Sequence, residues 1–101
     1  MRVYIAGPYR SKWGLIGRAL NVIRHWRVAR KYWAAGHTVI SPICNSAFMD
    51  GAIPDTDWVL HDLEFLVGCD LIVMLPNWRE SAGATIEFHY ARERGIPWEE
   101  A

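Results

Sequence analysis

Two acids and a tyrosine stand out from the rest of this sequence by their surroundings. Glu87 lies in the segment SAGATIEFHYARERG, residues 81–95. Helical spacing puts Gly83 four residues before it on the same face, which leaves open space in front of the carboxylate for a ligand. Ser81, Ala82 and Gly83, at the start of such a helix, present unpaired backbone N–H groups that suit an anion. The competing reading makes Glu87 a surface acid paired with Arg94 or Arg79. Asp62 stands four residues after Trp58 and three before Phe65, so its helical neighbours on one face are apolar. An acid held that way has a raised pKa and can donate a proton, unless it sits at an edge where it reaches water or a backbone N–H. Tyr4, inside the apolar run RVYIA, is either a core residue or a hydroxyl aimed at the nucleophile across the top of a sheet. Gly7 and Arg10 lie just past that run, at the same rim. Arg10 can hold a phosphate with its planar fork, or be solvated. Trp78 falls in a loop where it could stack on a ligand ring.

These residues need a scaffold, and the hydrophobic pattern describes one. Residues 2–6 read as a buried strand closed by Gly7-Pro8. A glycine-containing loop, 7–17, precedes a long amphipathic helix from about Arg18 to Ala35. Its apolar stripe is Ala19, Val22, Trp26, Ala29 and Trp33, and Gly36 is its stop. Residues 37–42 form a second strand and 43–54 a loop. A helix follows over about 57–67, capped by Asp55 or Thr56 and stopped by Gly68. Residues 70–75 (DLIVML) make the most strand-like run, suited to a central strand covered on both faces. After a loop at 76–80, Ser81 caps a helix to about Arg94, Gly95 stops it, and 96–98 begin a short last strand. The β-α-β-α-β-α-(β) alternation predicts a parallel sheet with helices on both faces and a ligand site beyond the carboxyl ends of its strands.

The 101 residues set an expectation of one small domain, and about half of them are apolar. Charge is segregated: residues 1–49 hold eight Lys/Arg and no acid, whereas 50–101 hold three Lys/Arg and all eleven acids. A basic half can bind nucleic acid, but no basic run exceeds two residues and no nucleic-acid motif appears, so a solvated or partner-facing helix is expected instead. Two isolated cysteines, four scattered histidines and no long apolar run argue for a cytoplasmic protein with reduced thiols, no membrane span, and no metal or cofactor. Exposed aromatics on the first helix, with Trp13, Trp26 and Trp33 as candidates, predict a homodimer or higher homo-oligomer.

Three segments, VYIAGPYR (3–10), HDLEFLVGCDLIVML (61–75) and SAGATIEFHYARERGIP (81–97), resemble the nucleoside 2-deoxyribosyltransferase superfamily. That group includes 2'-deoxynucleoside 5'-phosphate N-hydrolases and small phage and bacterial relatives of unassigned function. The resemblance runs through nearly the whole chain in order. It implies a flavodoxin-like (Rossmann-like) three-layer sandwich around a parallel sheet of four or so strands. It also implies hydrolysis or transfer at the N-glycosidic bond of a nucleoside or nucleoside 5'-monophosphate. On this resemblance Glu87, in an S-x-G-x-x-x-E pattern, is the nucleophile, Asp62 helps protonate the departing base, and Tyr4 is the first-strand tyrosine. Arg10 and Ser81 match the contacts to a 5'-phosphate; the residues' own positions add Gly7, Gly83 and Trp78 as further substrate-binding candidates. Two departures stand against it. Pro8 replaces a serine of the nucleotide hydrolases and offers neither hydroxyl nor N–H. A polar residue that relatives supply from a neighbouring subunit's C-terminus has no counterpart before Ala101. The alternative function is a nucleotide-binding or interaction module of the same fold without turnover.

Overall fold

The computed structural model describes residues Met1–Ala101. Strand β1 (Arg2–Ala6) leads to helix α1 (Gly14–Ala34), strand β2 (Thr38–Ile40) and a short helix α2 (Pro42–Asn45). Helix α3 (Asp55–Leu66), strand β3 (Leu71–Met74), a 3-10 turn at Trp78–Glu80, helix α4 (Ala82–Glu93) and strand β4 (Trp98–Glu100) complete the order. The strands form one parallel sheet, β2-β1-β3-β4, with Tyr4 beside Ile40 on one side and Ile72 on the other. This is the flavodoxin-like α/β architecture expected from the alternation of elements. No helix is long and apolar enough to cross a membrane.

Alternation along the central strands divides the core in two, because successive side chains point to opposite faces. Val3, Ile5, Leu71 and Val73 pack with Ala29 of α1. Tyr4, Ala6, Ile72 and Met74 pack on the other face with Leu66 of α3 and Ala84 and Ala91 of α4. Both faces being covered explains the unbroken apolar run of β3. β1 and β3 are adjacent, while the chain leaves β1 toward β2 on the far side. The sheet's switch point therefore lies between the exits of β1 and β3. Those exits are close: a side chain at Gly7 would put its Cβ 2.6 Å from the Cβ of Leu75, so only glycine fits there.

Several boundaries differ from the sequence expectation. β2 is three residues long because Pro42, which has no N–H to give a ladder, opens α2 instead. The last strand pairs over 98–100 rather than 96–98, after the Pro97 carbonyl accepts the Ile72 N–H. α3 starts at Asp55 behind Pro54 with no side-chain cap, so neither Asp55 nor Thr56 caps it. Gly36 and Gly95 take positive φ, +93° and +72°, and follow the ends of α1 and α4 as anticipated.

The largest correction concerns α1. It begins at Gly14, four residues before the expected start, and its buried positions are Gly17, Asn21, His25 and Ala29. Of the apolar stripe only Ala29 is buried, while Trp26 and Trp33 are 55% and 54% exposed, as expected of an aromatic outer face. The cause is steric and polar together. A Cβ at Gly17 would lie 2.0 Å from Ser11 Oγ, so the helix approaches the 7–13 loop too closely for large side chains. Asn21 and His25 face inward because carbonyls there need donors.

Candidate active site

α4 carries the central acid. Ser81 takes extended backbone at its N-cap, and its hydroxyl accepts the Ala84 N–H at 3.2 Å, as the sequence leads one to expect. Ala84, Glu87 and Ala91 then form the buried face of the helix. Glu87 thus sits where a core residue belongs, 8% exposed, at the wall of a cleft of about 1470 Å³ above the exits of β1 and β3. Burial pushes its carboxyl up to about 8. The nearby Asp62 carboxylate adds to this, while a hydrogen bond from Tyr4 opposes it.

Tyr4 is fully buried and stands beneath the acid, not in the cleft wall. Its hydroxyl bonds to Glu87 Oε2 and lies 3.3 Å from the Asp62 main-chain carbonyl. Burial first, and the Glu87 charge second, hold the phenol far above its ordinary pKa, so it remains a proton donor at every accessible pH. The arrangement is self-consistent in both protonation states of Glu87. Tyr4 donates to an ionised carboxylate. When Glu87 is protonated, the acid can donate to the phenol oxygen and the phenol to the Asp62 carbonyl. Asp62 itself is half-buried on α3, lines the cleft, and is raised to about 6 by burial, with His61 opposing. Glu87, Tyr4 and Asp62 are therefore brought together, and the alternative pairing of Glu87 with Arg79 or Arg94 does not occur: Arg79 pairs with Glu100.

The substrate-binding candidates divide. Gly7, Arg10, Ser81 and Gly83 all line the cleft. A methyl group at Gly83 would meet only Val59 Cγ2, at 3.6 Å, an ordinary contact, so the helix start is open on its cleft side. The Ala84 N–H is taken by Ser81, while those of Ala82 and Gly83 have no partner in the chain. Arg10 is engaged at both ends: Nη1 lies 3.4 Å from Asp50 and Nη2 2.6 Å from Asp55. Trp78 is a correction. It is 5% exposed, stacks on Phe88 at 4.4 Å between ring centroids, and donates its Nε1–H to Glu100. A ring held in the core by Phe88 and Trp98 cannot stack on a ligand.

Three neighbours of the cleft escaped the sequence reading. Tyr9 donates its hydroxyl to Asp50 at 2.6 Å, and Asn21 and His25 reach the 7–9 backbone from α1. A signal was present: Gly17, Asn21, His25 and Ala29 repeat every four residues, a small-or-polar stripe that adjoins the apolar one and shares Ala29 with it.

The profile of a domain of unknown function (DUF4406) matches residues 1–98. No curated protein sequence matches the chain. Among solved structures, a 2-deoxyribosyltransferase from Bacillus psychrosaccharolyticus is similar with a TM-score of 0.68 at 21% identity, over 99% of this chain and 71% of that one. A conserved protein from Enterococcus faecalis V583 is similar with a TM-score of 0.60 at 28% identity, over 98% of this chain and 61% of that one. The first likeness shows a shared fold, the one that the three sequence segments imply.

Proposed function

We propose that this chain, which belongs to the DUF4406 family, cleaves or transfers at the N-glycosidic bond of a nucleoside or nucleoside 5'-monophosphate. The observation that carries this reading is the buried Glu87 carboxyl at the cleft wall, bonded to Tyr4 with Asp62 alongside. The solved 2-deoxyribosyltransferase of the same fold supports it. In the first step the Glu87 carboxylate attacks the anomeric carbon. The carbon–nitrogen bond breaks, its electron pair goes to the base, and Asp62 supplies the proton. The product is a glycosyl ester on Glu87. In the second step water attacks that carbon and gives its proton to Asp62, freeing Glu87; an acceptor base attacking in place of water completes a transfer. Tyr4 holds the carboxylate in line through its hydroxyl and remains neutral throughout. General-acid assistance by Asp62 contributes roughly 10²–10⁴-fold.

A 5'-phosphate would meet the free N–H groups of Ala82 and Gly83 and the Arg10 guanidinium. Exposed ion pairs such as Arg10 with Asp55 are worth at most about 1 kcal/mol, so a dianion can displace them. The two acids nevertheless tilt the cleft toward neutral nucleosides. Incubation with the common deoxynucleosides and their monophosphates, followed by chromatography for free base, tests the proposal. Base release is expected from the wild type and its loss, by about 10³-fold or more, from Glu87→Ala in a protein that still folds. Thermal stabilisation by a nucleoside with no base released, and unaltered by that substitution, would instead identify a binding module.

We further propose that a second copy of the chain covers the outer face of α1. Ile16, Leu20, Ile23, Trp26 and Trp33 are exposed along it. Arg27, Arg30 and Lys31 on the same helix form no ion pair within the chain, whereas Arg18 is paired with Asp50, and the acids of residues 50–101 of the second copy would supply the complementary charge.

A further inference from the structure

α1 places two polar side chains in the interior, one turn apart. Asn21 is 7% exposed and His25 fully buried. His25 Nε2 lies 3.1 Å from the Pro8 carbonyl, which can only accept, so that nitrogen carries the proton. Its Nδ1 is buried with no partner, so a second proton there would have no acceptor and the ring is neutral. Burial accordingly depresses its pKa to about 4. Asn21 Nδ2 donates to the Tyr9 carbonyl at 2.9 Å, and its Oδ1 accepts from Arg24 at 3.1 Å, which fixes the amide's orientation. The two side chains thus take consecutive carbonyls of the rim where β1 leaves the sheet. On its other side this rim abuts Leu75, and the His25 ring stands 3.4 Å from where a Gly7 side chain would begin. From the rim the Tyr9 hydroxyl reaches across the cleft mouth. It donates to Asp50 at 2.6 Å and accepts the N–H of Phe48, a residue in left-handed backbone with φ +60°. Asp50 in turn holds Arg10 and Arg18.

We propose that Asn21 and His25 are positioning residues that clamp the Gly7–Tyr9 rim and, through Tyr9 and Asp50, set where the 46–52 segment and Arg10 stand over the substrate. Neither reaches the reacting atoms. Glu87, Tyr4 and Asp62 are carried by α4, β1 and α3 and do not depend on the clamp. The kinetic part of this inference rests on the glycosidic reading above; the structural part does not.

The test uses His25→Leu and Asn21→Asp, which keep approximate size and remove the donor, and His25→Gln, whose amide nitrogen can reach the same carbonyl. NMR order parameters of Tyr9 and Arg10 are expected to fall from about 0.85 toward about 0.6 in the first two variants, with β3 unchanged and with recovery in His25→Gln. For base release, KM is expected to rise about tenfold while kcat stays within about twofold, because substrate placement and not the chemical step is disturbed. Unchanged order parameters at the rim would overturn the clamp, as would a kcat loss at constant KM. Should His25→Leu fail to fold, Asn21→Asp and His25→Gln carry the same comparison. A wild type that releases no base would refute the proposed reaction, and the order parameters would then decide the clamp alone.

Discussion

At the residue scale, Glu87 is a carboxyl built into an apolar helix face, which costs stability in its charged form. Its folded pKa of about 8 lies above the ordinary 4.5, so the folded protein binds the proton more tightly than the unfolded chain. The associated stability is fully present below about pH 4.5 and is lost as pH rises through about 8. Glu87→Gln removes this titration while keeping an acceptor for Tyr4. The variant is expected to melt progressively higher than wild type as pH is raised from 5 to 9, by a few kcal/mol at the alkaline end; parallel thermal melts at several pH values check this. The same values bear on the proposed reaction. On the proposed reaction the attacking form needs Glu87 ionised and Asp62 protonated, against the order of their pKa values, so the competent pair is a minor form of the protein near pH 7. A bell-shaped kcat/KM with limbs near 6 and 8 is expected. A rate still climbing above pH 9 would mean that the proton on Asp62 is not used.

At the scale of elements, α1 shows why the apolar stripe was a poor guide. A helix normally buries its most hydrophobic face, yet Trp26 and Trp33 of that stripe stay outside. Close approach to Ser11 at Gly17 and the rim carbonyls at Asn21 and His25 select the other face. Gly17→Ala tests this. Its Cβ would sit 2.0 Å from Ser11 Oγ, so the expected loss is about 1–3 kcal/mol, read by urea denaturation. An alanine at Gly83, facing Val59 at 3.6 Å, is expected to fold normally in the same assay. α4, by contrast, was legible in detail: the Ser81 cap, the small residues after it and the Gly95 stop all stand where the sequence puts them. Its signals are local, and no distant partner had to be known to read them.

At the scale of the whole molecule, apolar residues remain on the outside of α1, and no other element of residues 1–101 packs over that face. The expected assembly is measured by sedimentation equilibrium. Wild type should exceed the monomer mass, and a Trp26→Glu, Trp33→Glu double variant should return to it without loss of fold. A wild type that stays monomeric at high concentration would refute the second-copy proposal.

What this sequence determines by itself is the order of the strands and the three long helices, the parallel sheet and the identity of the segments at its rim. These follow from short-range periodicity, caps and glycine stops, which act over a few residues. Glu87, Asp62 and Tyr4 were also nameable, because an acid among apolar neighbours and a tyrosine in a strand are local anomalies. The tertiary structure alone decided that one phenol touches both acids' residues, that Trp78 belongs to the core, that Arg10 is held by Asp50 and Asp55, and that Asn21 and His25 face inward. Each of those outcomes depends on which unsatisfied donor, acceptor or apolar surface lies opposite. That is fixed only when segments distant in the chain are packed together, since burial and hydrogen bonding are properties of the pair and not of either residue.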